Sequence, residues 1–141
     1  MPASTAGYSG KPAWQKLGLE PACRLLLRHA PDGYAAMVGL GEKDLNRVAP
    51  RAAFDIAHVF ATSAAVLRIE IVALAKRLPA DAVVWVSWPK KSAKVATDIT
   101  EDTVRAIALP LGLVDVKVCA VDEVWSGLKL VWRRENRKGK S

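Results

Sequence analysis

From Ala82 to Trp88 the chain is apolar almost without interruption, as expected of a strand buried on both faces of a sheet. Ala22 to His29 and Phe54 to Ala61 read the same way, and Leu45 to Ala49 reads as a weaker strand. Between these runs the pattern is helical. Thr62 or Ser63 offers an N-cap for a helix over Ala64 to Leu78. A second helix is expected over Thr103 to Leu109, with Asp98 and Glu101 at capping-box spacing and a start at Asp98 or Thr100. Shorter helices are expected around Pro12 to Leu17, stopped by Gly18, and over Tyr34 to Val38, ended by Gly39 and Gly41. Beyond Gly112 the rhythm changes to alternation. Val116, Val118 and Ala120 alternate with Lys117, Cys119 and Val121, and Leu128, Leu130 and Trp132 with Lys129, Val131 and Arg133. Two strands joined through Asp122 to Gly127 would form a hairpin.

Strands alternating with helices imply an α/β fold with a mostly parallel sheet and right-handed crossovers. The expected architecture is a single three-layer α/β/α sandwich closed by a C-terminal antiparallel hairpin. It resembles a shortened class I methyltransferase-like Rossmann domain, which implies the strand order 2-1-3-4-6-5. Residues 1–20 read as an N-terminal arm, 21–134 as the α/β domain and 135–141 as a basic tail.

The chain has 141 residues, the usual size of one domain, and its 51% hydrophobic content is ample for a core. Its apolar runs are broken by charges such as Arg68, Glu70, Lys76 and Arg77, and none approaches the ~20 residues of a membrane span. No apolar leader is evident near the N-terminus, and a cytoplasmic, membrane-free protein is expected. The formal net charge is +7, and more than half of it lies in Arg133, Arg134, Arg137, Lys138 and Lys140, set against Glu135 alone. Such a tail either contacts nucleic-acid phosphates or acidic proteins, or is simply a solvated end.

The chemistry is sparse. Strand 1 is followed by His29-Ala30-Pro31-Asp32-Gly33-Tyr34, with one glycine where a nucleotide fingerprint needs several, and the region after strand 2 offers Arg47 and Arg51 instead of a ribose-binding acid. No cofactor is expected, the methyl donor of methyltransferases included. Ser9-Gly10-Lys11 lacks the strand and glycines of a phosphate loop. No serine has an identifiable His and acid partner. Cys23 and Cys119 lie in apolar runs without ligand spacing, so buried thiols are expected and a metal is not. His58 sits in Phe54-Asp55-Ile56-Ala57-His58-Val59-Phe60 and reads as a hydrogen-bonded core imidazole. His29 falls near a strand end and stays open. Asp122 and Glu123 are adjacent and would face opposite ways on a strand.

The sharpest local signal is Trp88-Pro89-Lys90-Lys91, where strand 4 opens into a polar loop. Ligands of open α/β sheets favour the carboxyl ends of the strands. Lys90 and Lys91, with a helix N-terminus near Thr100, could form an anion site there. Asp32 and Gly33 after strand 1, and Thr62 and Ser63 after strand 3, should open on the same edge. The expected function is a non-catalytic or pseudo-enzymatic domain that binds an anionic small molecule or a protein partner through Asp32, Gly33, Thr62, Ser63, Trp88, Lys90 and Lys91. Two alternatives stand beside it. One is nucleic-acid binding through the tail with Lys117 or Lys129. The other is an enzyme of unrecognised mechanism built on Asp32 and Lys90.

Two sets of motifs carry a further resemblance. Gly7-Tyr8-Ser9-Gly10, Lys16-Leu17-Gly18 and Ala30-Pro31 form the first. The second is Trp88-Pro89-Lys90-Lys91, Thr97-Asp98-Ile99-Thr100-Glu101, Gly112-Leu113-Val114-Asp115, Lys117 to Glu123 and Trp125-Ser126-Gly127-Leu128. Over residues 7–134 this pattern resembles an uncharacterised bacterial family of unknown function. The resemblance implies a shared fold and no particular activity. Lys11, Pro21-Ala22 and Pro110 depart from the pattern.

Overall fold

The computed structural model describes residues 11–137. Gly7 to Gly10 of the quoted motif, and Lys138 and Lys140 of the tail, lie outside the described residues. Six strands form one sheet: β1 Arg24–Arg28, β2 Asn46–Arg47, β3 Ile56–Phe60, β4 Val83–Pro89, β5 Leu113–Ala120 and β6 Trp125–Trp132. Their order is β2-β1-β3-β4-β6-β5. β1 pairs in parallel with β2 and β3, β3 pairs in parallel with β4, and β6 runs antiparallel to both β4 and β5. This is the strand order that the resemblance to a methyltransferase-like Rossmann domain implies, with the C-terminal antiparallel hairpin expected from the alternation.

Helices cover both faces. α1 (Ala13–Leu17) and α2 (Tyr34–Val38) bury Leu17, Tyr34 and Val38 with Leu25, Phe60 and Trp85 on one face. α3 (Ala64–Ala75) and α4 (Glu101–Ala108) bury Leu67, Ile71, Leu74, Val104 and Ile107 with Val59, Val84 and Val86 on the other. The i, i+4, i+7 spacing of Leu67, Ile71 and Leu74 places them on one stripe of α3, and each contributes about 1.5–3 kcal/mol by leaving water. All five residues of β3 are buried, which explains its unbroken apolar run. Leu17 and Leu19 are buried although they fall within the expected arm, and the Trp85 Nε1–H donates to the Leu17 carbonyl over 3.0 Å.

Several boundaries differ from the sequence reading. α4 is capped by Thr100 and Thr103, whose hydroxyls and amides bond reciprocally, and not by Asp98 and Glu101. The Asp98 carboxylate is engaged elsewhere: its Oδ1 accepts from the Ala64 amide at 2.7 Å, at the start of α3, where Ser63 is the N-cap. α3 ends at Ala75, three residues early, because Lys76 and Arg77 turn away while Leu78 stays buried. β4 ends at Pro89, one residue beyond the expected run, paired with Trp125 at a strand-end position where the missing N–H is tolerated. The hairpin is also longer than its alternation shows. β5 starts at Leu113, with a register shift between Asp115 and Lys117, and β6 starts at Trp125. The turn between them is held by Asp122, whose Oδ1 accepts from the Val124 and Trp125 amides, each at 2.8 Å.

Candidate functional site

Among the described residues, two clefts open at the carboxyl edge of the sheet. The larger, about 750 Å³, is lined by Trp88, Lys90, Lys91, Thr97, Thr100 and Arg105 among others. β4 delivers the first three. Trp88 is buried, the Lys90 amide donates to the Val124 carbonyl at 2.7 Å, and Lys91 opens a 3₁₀ turn through Ala93. That turn is closed by Lys94 in the left-handed conformation, φ 57°. α4 supplies the opposite wall. Its first-turn amides at Glu101 and Asp102 have no intrahelical acceptor, and Thr100, Glu101 and Asp102 line the cleft at the positive end of the helix.

The charges there are sorted. Arg105 holds Glu101 at 2.8 Å, Asp102 at 3.2 Å and Asp115 at 3.0 Å. Glu101 and Asp102 are thus already paired. Lys90 and Lys91 have no side-chain partner among the described residues. What the cleft offers a ligand is therefore two ammonium groups and a helix N-terminus, beside the indole of Trp88.

The smaller cleft, about 250 Å³, lies between the ends of β1 and β3. From β1 the chain crosses to β2 on one side and returns to β3 on the other, so this is the topological switch point of the sheet. His29, Phe60, Thr62, Ser63, Val66 and Trp125 line it. His29 has a positive φ of 59°, and its Nε2 lies 2.7 Å from the Glu70 carboxylate on α3. Phe60 and Trp125 meet edge to face at 5.0 Å.

The expected seven-residue edge is therefore divided. Trp88, Lys90 and Lys91 share the larger cleft, and Thr62 and Ser63 line the smaller. Asp32 and Gly33 line neither; Gly33 is the left-handed cap of α2 and Asp32 is exposed beside it. Asp32 and Lys90 share neither cleft. Thr100 lines the larger cleft with Lys90 and Lys91, and Thr97 and Arg105 join it only through the fold. Glu70 is 41 residues from His29, and no spacing rule links them.

The other titratable groups have structural surroundings. His58 is a buried core imidazole as expected, bonded to the Tyr34 hydroxyl at 2.8 Å and to the Ser87 hydroxyl at 2.7 Å. Burial lowers its pKa to about 3, so it is neutral. Cys23 and Cys119 are half-buried, not fully enclosed, and burial raises both thiols, Cys23 to about 11. That disfavours the reactive thiolate. Among the described residues no group of three His, Cys, Asp or Glu side chains could hold a metal ion, and no helix is long and apolar enough to cross a membrane. Of the tail, Arg133, Arg134 and Arg137 are exposed, yet the Arg133 amide donates to Gly112 and the Arg137 Nε to Trp132.

No protein-family model and no curated protein matches the chain. Among solved structures, the fold is similar to a protein in the NADB-Rossmann superfamily from Streptococcus agalactiae, with a TM-score of 0.50 and 11% sequence identity. The match covers 94% of this chain and 69% of that one. A likeness at that identity concerns the fold, which is Rossmann-like.

Proposed function

We propose that this domain binds an anionic small molecule in the cleft between β4 and α4, without itself supplying catalytic groups. One observation carries the reading. Lys90 and Lys91 line a cleft of about 750 Å³ with no side-chain partner among the described residues, while the acids beside them are paired to Arg105. An unpaired ammonium group at a helix N-terminus favours negative charge. Two segments of the quoted motif pattern, Trp88-Pro89-Lys90-Lys91 and Thr97 to Glu101, meet in this one cleft although a loop separates them in sequence.

A thermal-shift screen of phosphate, pyrophosphate, nucleotides and di- and tricarboxylates tests the reading. Multiply charged anions should raise the melting temperature of the wild type and have little effect on a Lys90→Ala/Lys91→Ala variant. Equal shifts in both proteins, or none in either, would sink it.

A further inference from the structure

We propose that the edge of the sheet opposite the two clefts carries a second, independent binding surface, which takes the phosphodiester backbone of duplex nucleic acid without reading its sequence. The Trp132 Nε1–H donates to the Leu78 carbonyl over 2.8 Å, joining the end of β6 to the residues just before β4. Lys76 and Arg77 directly precede Leu78, and Arg133 and Arg134 directly follow Trp132. One hydrogen bond between residues 54 apart therefore brings two basic pairs to the same edge. Arg137 joins them, its Nε donating to the Trp132 carbonyl at 3.2 Å. The acids in these two segments are Asp81 and Glu135, fewer than the cations.

The C-terminal part of this surface is held in place and is not simply a solvated end. The Arg133 amide donates to the Gly112 carbonyl at 3.0 Å, and the Asn136 Nδ2 donates to the same carbonyl at 3.1 Å. The Asn136 and Arg137 amides close a 3₁₀ turn on the Arg133 and Arg134 carbonyls. Residues three apart share a side of such a turn, so Arg134 and Arg137 lie together. Lys76, Arg133 and Arg134 are exposed and have no side-chain partner among the described residues. Arg77 is engaged with the Pro50 and Ala52 carbonyls and adds only its charge. Guanidinium groups on a fixed backbone suit phosphate, whose oxygens they bond in pairs.

The same residues say which polyanion fits. Each cation meets one phosphate, so a long backbone gains from several at once and a short anion such as pyrophosphate gains little. No exposed aromatic accompanies them: Trp132 is 5% exposed and Phe54 1%. Without a stacking platform single-stranded bases gain nothing here, and backbone contacts alone carry no sequence information. Lys117 and Lys129 lie outside this surface, since they are cross-strand partners within the sheet and Lys117 donates to the Lys16 carbonyl.

The test is fluorescence anisotropy of the full chain with a labelled DNA duplex of about 20 base pairs, at salt concentrations between about 50 and 200 mM. The wild type should bind two duplexes of unrelated sequence alike, with affinity falling steeply as salt rises. The slope of log affinity against log salt should shrink by about two in Arg133→Ala/Arg134→Ala and by about one in Lys76→Ala. It should stay the same in Lys43→Ala, which removes a cation from the turn before β2. The Lys76 variant separates a folded surface from a tail acting alone. No binding by the wild type, an unchanged slope in either of the first two variants, or an equal loss in Lys43→Ala would overturn the proposal. So would tighter binding of the single strand, a marked preference between the duplexes, or displacement by poly-glutamate as effective as by unlabelled duplex, which would assign the surface to an acidic protein.

Discussion

The Thr97 hydroxyl donates to the Thr62 carbonyl over 2.7 Å, tying the loop after β4 to the loop after β3. The Asp98 carboxylate strengthens this tie by capping the Ala64 amide of α3. One short segment therefore forms the partition between the two clefts and fixes the start of a helix. Asp98→Ala should destabilise the domain by roughly 1 kcal/mol, the usual worth of an N-terminal cap, and lower Tm by about 4 °C. Thermal melting followed by circular dichroism checks it; an unchanged Tm would show that the cap contributes nothing.

Burial of His58 makes stability depend on pH. Its folded pKa is about 3, against an ordinary value of 6.5. Above pH 6.5 both folded and unfolded states hold it neutral. As pH falls below that value the unfolded chain takes up a proton that the folded chain refuses. Stability should therefore drop by roughly 1 kcal/mol per pH unit from just below pH 6.5 toward pH 3. The Asp55 carboxyl, held below its ordinary range by hydrogen bonds from Arg24, loses its contribution only at lower pH. Urea melts between pH 7 and pH 5 isolate the histidine. A flat profile there, or the same slope in His58→Gln, would contradict this assignment.

Gly112 supports the anchoring of the C-terminal segment. Its φ is 96°, and a Cβ built there would lie 2.7 Å from Asn136 Nδ2, which donates to the Gly112 carbonyl. Gly112→Ala should cost roughly 1–3 kcal/mol from left-handed strain, plus the displacement of Asn136. Adding Asn136→Gly should recover the steric part and not the strain. Denaturant melts of the single and double variants separate the two contributions.

The sheet was legible because burial writes itself into composition. β3 and β4 are enclosed on both faces and read as apolar runs, while Gly18, Gly39 and Gly112 mark helix and turn exits that the structure confirms as left-handed. Asp98 shows where sequence reading runs out. It has capping spacing to Glu101, but its carboxylate serves a helix 34 residues earlier. The same holds for the sites. Lys90 and Lys91 could be placed at a strand end by local pattern alone. Pairing His29 with Glu70, or taking Glu101 and Asp102 out of the charge balance through Arg105, needs tertiary contacts that no local pattern encodes.

The most direct test of the anion site is a calorimetric titration with pyrophosphate of the wild type, Lys90→Ala/Lys91→Ala and Arg133→Ala/Arg134→Ala. The lysine pair lines the cleft, whereas the arginine pair lies in the exposed C-terminal segment. The wild type and the arginine variant should bind alike, and the lysine variant should lose about tenfold or more, as expected when charge-assisted hydrogen bonds are removed. Equal affinity in all three, loss in the arginine variant instead, or no binding by the wild type would contradict an anion site at the end of β4.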